Sequence, residues 1–191
     1  MYQNFFKRIF DIILCICLIV ILSPLMVIIF FLVWFKIGFP IFFQSRPGLK
    51  NKKFTIYKFK TLYDPTDFIS ENKRQNTFGN FLRKTGLDEL PQLFNILKNE
   101  MSFVGPRPLL LEYLSKYSAY EKKRHLVKPG ITGLAQVYPE KSKKKVWKKS
   151  IKLDIFYVTN VSFLLDLKIL WNTFKIVILK KKQYQDFKKS I

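Results

Sequence analysis

IILCICLIVILSPLMVIIFFLVWF, residues 12–35, carries no charged side chain, and one dipeptide, Ser23-Pro24, interrupts its centre. About 24 apolar residues are enough for a helix to cross a hydrocarbon core of about 30 Å. A plain membrane-spanning anchor is one reading. Pro24 supports another, because it lacks a backbone donor, leaves the carbonyl of Val20 without its usual partner and kinks a helix. The Ser23 hydroxyl can occupy a carbonyl in the preceding turn, which makes such a break tolerable in lipid. Basic residues flank both ends, with Lys7 and Arg8 before the run and Lys36, Arg46, Lys50, Lys52 and Lys53 after it. A spanning helix biases Lys and Arg to one side. Break and charge together favour a helix that enters, breaks at Ser23-Pro24 and returns to the same face, although the residues alone leave both readings open. No alanine precedes Ala119, so a cleaved signal peptide with an A-x-A-like site is not expected.

Over 191 residues, 34 Lys and Arg face 13 Asp and Glu, a net charge of +21. That balance points to an anionic partner: nucleic acid, a phospholipid surface or a phosphorylated small substrate. The 20 Phe and the 49% hydrophobic content tilt the choice toward a membrane. Cys15 and Cys17 have neither zinc-ligand nor disulfide-framework spacing and read as small hydrophobes. With His125 as the single histidine, multi-histidine metal chemistry is excluded.

Beyond Gly38, PIFFQ, the turn-like SRPGLKNKK and FTIYKFKTL read as a β-hairpin. Alternation places Phe54, Ile56, Lys58 and Lys60 on one face, so two ammonium groups are expected to project together. Residues 64–76 are polar and suit a loop or short exposed helix; residues 78–84 form an amphipathic turn. Residues 109–127 show helical spacing between the turn signals FVGPRP and KPGITG. Residues 162–182 align Leu167, Leu170, Trp171, Phe174 and Ile178 on one face before a KKK ending, as in a core helix or one lying in a membrane interface.

GLDELPQL, residues 86–93, sets two carboxylates beside a proline in this basic chain. With Asp88 as the cap of a helix beginning at Glu89, Pro91 falls among the orphan donors of the first turn. A start at Thr85 would instead bury Pro91 in the helix and kink it. The first assignment puts a carboxylate at the positive end of a helix, beside N–H groups able to hold phosphate oxygens. An ordinary cap with a favourable first-turn glutamate explains the pair as well. The company of Arg83, Arg107, Arg124, His125 and Lys128 near turns supports more, since one carboxylate with Mg²⁺ and several arginines makes a phosphoryl-transfer site. Neighbours on a helix point about 100° apart, so Asp88 and Glu89 are expected to take different roles.

KRIFD (7–11), the central Ser23-Pro24, QSRPG (44–48), YKFKT (57–61), LDELPQLFNILK (87–98), MSFVGPRPLL (101–110), RHLVKPGITGLAQV (124–137) and LDIFYV (153–158) occur in the order found in bacterial sugar transferases. The chain resembles the minimal members of that family, the monotopic polyprenyl-phosphate phosphoglycosyl transferases. The resemblance implies transfer of a sugar 1-phosphate from a UDP-sugar to polyprenyl phosphate with release of UMP, the first membrane step of a glycan. It implies Asp88 as nucleophile, forming a phosphosugar-aspartyl intermediate, with Mg²⁺ at the same carboxylate, and Glu89 as an acid/base or positioning group. Lys58, Lys60, Arg83, Arg107, Arg124, His125 and Gln136 become candidate substrate-binding residues. The fold implied is mainly α with a short β-hairpin: a re-entrant membrane helix hairpin over residues 1–38, then a cytoplasmic catalytic domain over 39–191 with amphipathic interfacial helices. Both chain ends would lie on the cytoplasmic face of the bacterial inner membrane. Partners implied are phospholipids and downstream glycosyltransferases, not nucleic acid. A non-catalytic, membrane-anchored basic protein that binds nucleic acid or anionic lipid is the alternative that charge alone permits; it gives no reason for LDELPQL. In one place the chain departs from the family, which often has Asn-Gly-Arg-Asn after AQV. Here YPEKSKKKVW (138–147) follows, so Lys141 or Lys143 would have to supply that charge without the arginine fork.

Overall fold

The computed structural model describes residues 2–64, 74–139 and 146–177. The long apolar run becomes helix α1, Lys7–Ile37, 31 residues with Pro24 inside. Helical conformation continues through Ser23-Pro24, so the expected helix-break-helix is one uninterrupted helical segment. Ser23 Oγ donates to the carbonyl of Val20 at 3.0 Å, the oxygen four residues before the proline and thus the one whose usual donor Pro24 lacks. The local polar deficit is met within one turn, and the helix survives.

Burial along α1 is uneven. Lys7, Asp11 and Cys15 are buried at one end and Ile29, Val33 and Ile37 at the other, each set at i, i+4 spacing. Between them Val20 and Ile21 are 68% and 69% exposed. Arg8 donates to the carbonyls of Ile96 and Leu97 at 2.6 and 3.0 Å, Cys15 Sγ to that of Leu93 at 3.1 Å, and Asp11 accepts from Phe103 N at 3.3 Å. Lys7 pairs at 2.5 Å with buried Asp166. At the far end, Ile29, Val33 and Ile37 pack with Phe59 and Leu82. Both ends of α1 therefore sit on one body while its middle stands clear.

Strands β1 (Ile41–Pro47) and β2 (Lys53–Phe59) form the expected antiparallel hairpin, with Arg46 opposite Phe54. Its turn takes Lys50 and Asn51 to positive φ. β2 ends at Phe59, whose ring buries beside α1; Lys60 lies past the strand, its N–H on the Pro40 carbonyl. Lys58 and Lys60 meet different carboxylates, Glu89 and Asp64. Helix α2 (Thr77–Thr85) starts where Asn76 accepts from Gly79 N at 2.6 Å and ends at Gly86, φ 72. A 3-10 turn, Leu87–Glu89, follows, and α3 spans Gln92–Leu97. The helix expected to start at Glu89 thus begins three residues later, with no side-chain cap. Gly86 in the left-handed region lets the chain reverse at once into i→i+3 bonds, Glu89 N to Gly86 O and Leu90 N to Leu87 O, and Pro91, without an N–H, precedes the α-helix.

β3 (Ser102–Val104) pairs in parallel with β4 (Gly130–Thr132). A Cβ at Gly105 would lie 2.4 Å from the Lys128 carbonyl oxygen and one at Gly130 2.2 Å from Gly105 N. FVGPRP and KPGITG can cross this closely only as glycine on glycine. The helix expected over 109–127 is instead two 3-10 turns, Leu111–Lys116 and Glu121–Leu126. Ser118 and Glu121 exchange side-chain bonds to each other's N–H, a reciprocal box that starts a new turn mid-segment. After α4 (Leu134–Val137) come α5 (Val146–Thr159), which the sequence did not signal as a helix, and α6 (Phe163–Val177). α6 buries Asp166, Ile169 and Asn172 and leaves Leu167, Trp171 and Phe174 exposed; of the residues expected to share that face, Leu170 packs on the core. Residues 65–73, Lys141, Lys143 and Ile178 lie outside the described residues. The molecule is mainly helical with one short antiparallel hairpin.

Candidate active site

The 3-10 turn after Gly86 sets Asp88 and Glu89 in different surroundings, because successive residues there diverge by about 120°. Glu89 reaches β2 and the GPRP loop: Oε1 accepts from Lys58 Nζ at 2.6 Å and from Arg107 Nη2 at 2.7 Å. Burial alone would raise its pKa, but the charges of Arg107 and Lys58 outweigh that and hold it below the usual glutamate range. Asp88 is only 8% exposed and forms no ion pair among the described residues. Burial pushes its carboxyl above the ordinary aspartate value, the neighbouring Glu89 charge adds to this, and Lys58 and Arg107 pull it partly back. The pair is thus one carboxylate locked between two cations and one held in reserve, the divergence by which paired carboxylates acquire separate roles.

Arg46, Lys58, Gln92 and Arg107 line a cavity of about 70 Å³ together with Glu89, the member of the pair that faces it. Arg46 and Gln92 were not singled out by residue type, yet Arg46 Nε and Gln92 Nε2 are buried without a partner. Burial and the nearby Arg107 charge depress the Arg46 pKa. Donors in that condition are suited to an anion. The signal for Arg46 was its cross-strand position: directly opposed residues share a face, and Phe54, its partner, shares one with Ile56 and Lys58.

The other sequence candidates divide. Arg107 is in the cavity wall. Arg124, 2% exposed, gives two bonds to Asp154 at 3.1 and 2.7 Å, one to Tyr117 OH at 2.8 Å and one to the Arg107 carbonyl at 2.8 Å. Its charge is met inside the protein, and it reaches the site by bracing the loop that carries Arg107. His125 is buried among Pro47, Pro106, Pro108 and Pro129. Burial, then the Arg124 charge, lowers its pKa to about 4, against a hydrogen bond to the Gly48 backbone. Its imidazole is therefore neutral at pH 7 and ties the SRPG turn to the GPRP loop. Gln136 donates to the Ile131 carbonyl at 3.0 Å. Lys60 pairs with Asp64 at 2.6 Å, and Arg83, exposed, bonds Asn80 at 2.6 Å; neither is brought to the acidic pair.

Among the described residues no group of three His, Cys, Asp or Glu could hold a metal. The oxygen donors at the turn suit a hard cation that takes one or two carboxylates and completes its shell with substrate phosphates and water, as Mg²⁺ does.

The family model of bacterial sugar transferases matches residues 2–180. An uncharacterized sugar transferase, EpsL, of Bacillus subtilis is 44% identical over 180 residues, 92% of this chain and 88% of that protein. The undecaprenyl-phosphate galactose phosphotransferase of Salmonella typhimurium is 35% identical over 207 residues, and the UDP-glucose:undecaprenyl-phosphate glucose-1-phosphate transferase of Klebsiella pneumoniae 36% over 192. These alignments take in 95% and 94% of this chain but 42% and 41% of those longer proteins.

Proposed function

The chain belongs to the bacterial sugar transferase family, and from that premise we propose that it transfers a sugar 1-phosphate from a UDP-sugar to undecaprenyl phosphate, releasing UMP. The observation that carries the mechanism is the division of the acidic pair: a buried, unpaired Asp88 beside a Glu89 fixed by Lys58 and Arg107. In the first half-reaction an Asp88 carboxylate oxygen attacks the sugar-bearing phosphorus. The phosphorus–oxygen bond to UMP breaks and its electron pair leaves with UMP. In the second, an oxygen of the acceptor's phosphate dianion attacks the same phosphorus and Asp88 departs as carboxylate, so no proton need move. Glu89, held ionised, is poorly suited to general acid–base work and well suited to aligning Lys58 and Arg107 on the diphosphate. Arg46 and Gln92 offer further donors. Asp88 would hold Mg²⁺ with the donor's phosphate oxygens, and the cation would supply charge neutralisation at the phosphoryl group. Transfer through separate half-reactions predicts covalent accumulation without acceptor.

The topology proposed is re-entrant, with the body and both chain ends on the cytoplasmic face of the inner membrane. It is supported by α1, the one described helix long and apolar enough to cross a membrane, whose two ends are seated on the same body.

The deciding experiment offers UDP-sugar, radiolabelled in the sugar, without acceptor. Stoichiometric UMP release and label mapping to Asp88 are expected, with the label discharged on adding undecaprenyl phosphate. Near-normal turnover by Asp88→Asn would overturn the mechanism.

A further inference from the structure

Between α1 and the body lies an apolar groove of about 730 Å³, walled by Val27 and Phe30 of α1, Phe43 of β1, and Pro91 and Phe94 around α3, with Lys98 as its one charged lining residue. We infer that this groove holds the phosphate-proximal isoprene units of the lipid acceptor; the inference rests on the transferase reading above. Its occupant follows from what lies across a single short segment. Glu89 and Gln92 face the polar cavity, whereas Pro91, between them, faces the groove. A ligand with an anionic head and a long hydrocarbon tail can meet both sides of that turn at once. The groove's single cation, Lys98, lies over the Tyr57 ring, 4.7 Å from its centroid, and donates to its hydroxyl, a positive charge at an otherwise apolar wall that suits an anionic-headed lipid.

The walls favour an isoprenoid over a saturated acyl chain. Phe30, Phe43 and Phe94 present ring surface, against which planar trisubstituted double bonds and their methyl groups pack flat. Phe43 and Phe94 are 54% and 44% exposed, so their rings are open to an apolar occupant of the groove. The volume falls in the range of small-molecule sites and is too small for a whole undecaprenyl tail; the remaining units stay in the bilayer. Acceptor affinity should therefore rise with the first few isoprene units and then level off.

The test separates donor from acceptor chemistry. Undecaprenyl phosphate bearing a diazirine in a phosphate-proximal isoprene unit is photolysed with the wild-type protein in nanodiscs, and adducts are mapped. Label at Val27, Phe30 or Phe94 is expected; label confined to the outward residues Val20, Ile21 and Ile28 would overturn the inference. In parallel, Val27→Trp, which fills the groove from an exposed position, should raise the acceptor KM on the order of tenfold while label from UDP-sugar still forms on the protein. Ile21→Trp, on the outward face, should leave the acceptor KM at the wild-type value. An unchanged KM in Val27→Trp would sink the groove alone; failure of the wild-type protein to take label from UDP-sugar would sink the transferase mechanism instead.

Discussion

Asp88 and Glu89 are chemically similar and one bond apart in sequence, yet burial pushes the first toward protonation while two cations hold the second ionised. An aspartate whose folded pKa is raised opposes folding when ionised: its neutral form stabilises the protein at low pH, and that contribution is lost as pH rises through the folded value. Asp88→Asn should then abolish both UMP release and transfer while the melting temperature at pH 7 stays equal or increases, the gap closing toward acid pH. A melting scan at several pH values checks it; a large loss of stability would mean Asp88 serves the fold. Arg107→Lys keeps the charge but loses the fork, and its expected cost is on the order of tenfold or more in kcat/KM with the fold retained, since Lys58 still holds Glu89. Wild-type kinetics in that variant would reduce Arg107 to a loop brace.

At the scale of elements, the GPRP loop owes its position to contacts remote from any substrate. Arg124 links α5 to the Arg107 carbonyl through the buried Asp154 pair. Removing one member of such a pair strands the other charge, at a cost of about 3–5 kcal/mol. Asp154→Ala is expected to lower the melting temperature markedly, checked by thermal unfolding in detergent, and Asp154→Asn by less because it keeps a hydrogen-bond acceptor. In α1, Pro24→Ala returns an N–H to the Val20 carbonyl and makes the Ser23 hydroxyl redundant. Pro24→Ala is predicted to move part of the population toward a straight, spanning helix, seen as accessibility of an N-terminal cysteine from the opposite side of the membrane.

For the whole molecule, the seated ends of α1 and the +21 charge bear on one question, which face of the membrane the body occupies. Anionic cytoplasmic lipid attracts such a surface. Membrane-impermeant thiol labelling of single cysteines placed near the N-terminus and in α2 is expected to report the same, cytoplasmic side for both. Labelling from opposite sides would sink the re-entrant topology.

The residues by themselves determined the apolar run and its proline, the hairpin, an amphipathic turn within α2 and most of α6, because each rests on local periodicity or turn chemistry that a few neighbouring side chains carry. They also singled out Asp88, Glu89, Lys58 and Arg107, since ordered blocks around a carboxylate pair are legible without coordinates. Only the tertiary structure decided that helix α3 begins after Pro91, that Lys58 and Lys60 take different carboxylate partners, that Arg124 and His125 brace loops, and that Arg46 and Gln92 join the cavity. Those outcomes depend on where a strand stops and what packs on it: Phe59 buries against α1, Arg124 finds Asp154 thirty residues away, and contacts over such separations leave no periodic trace along the chain.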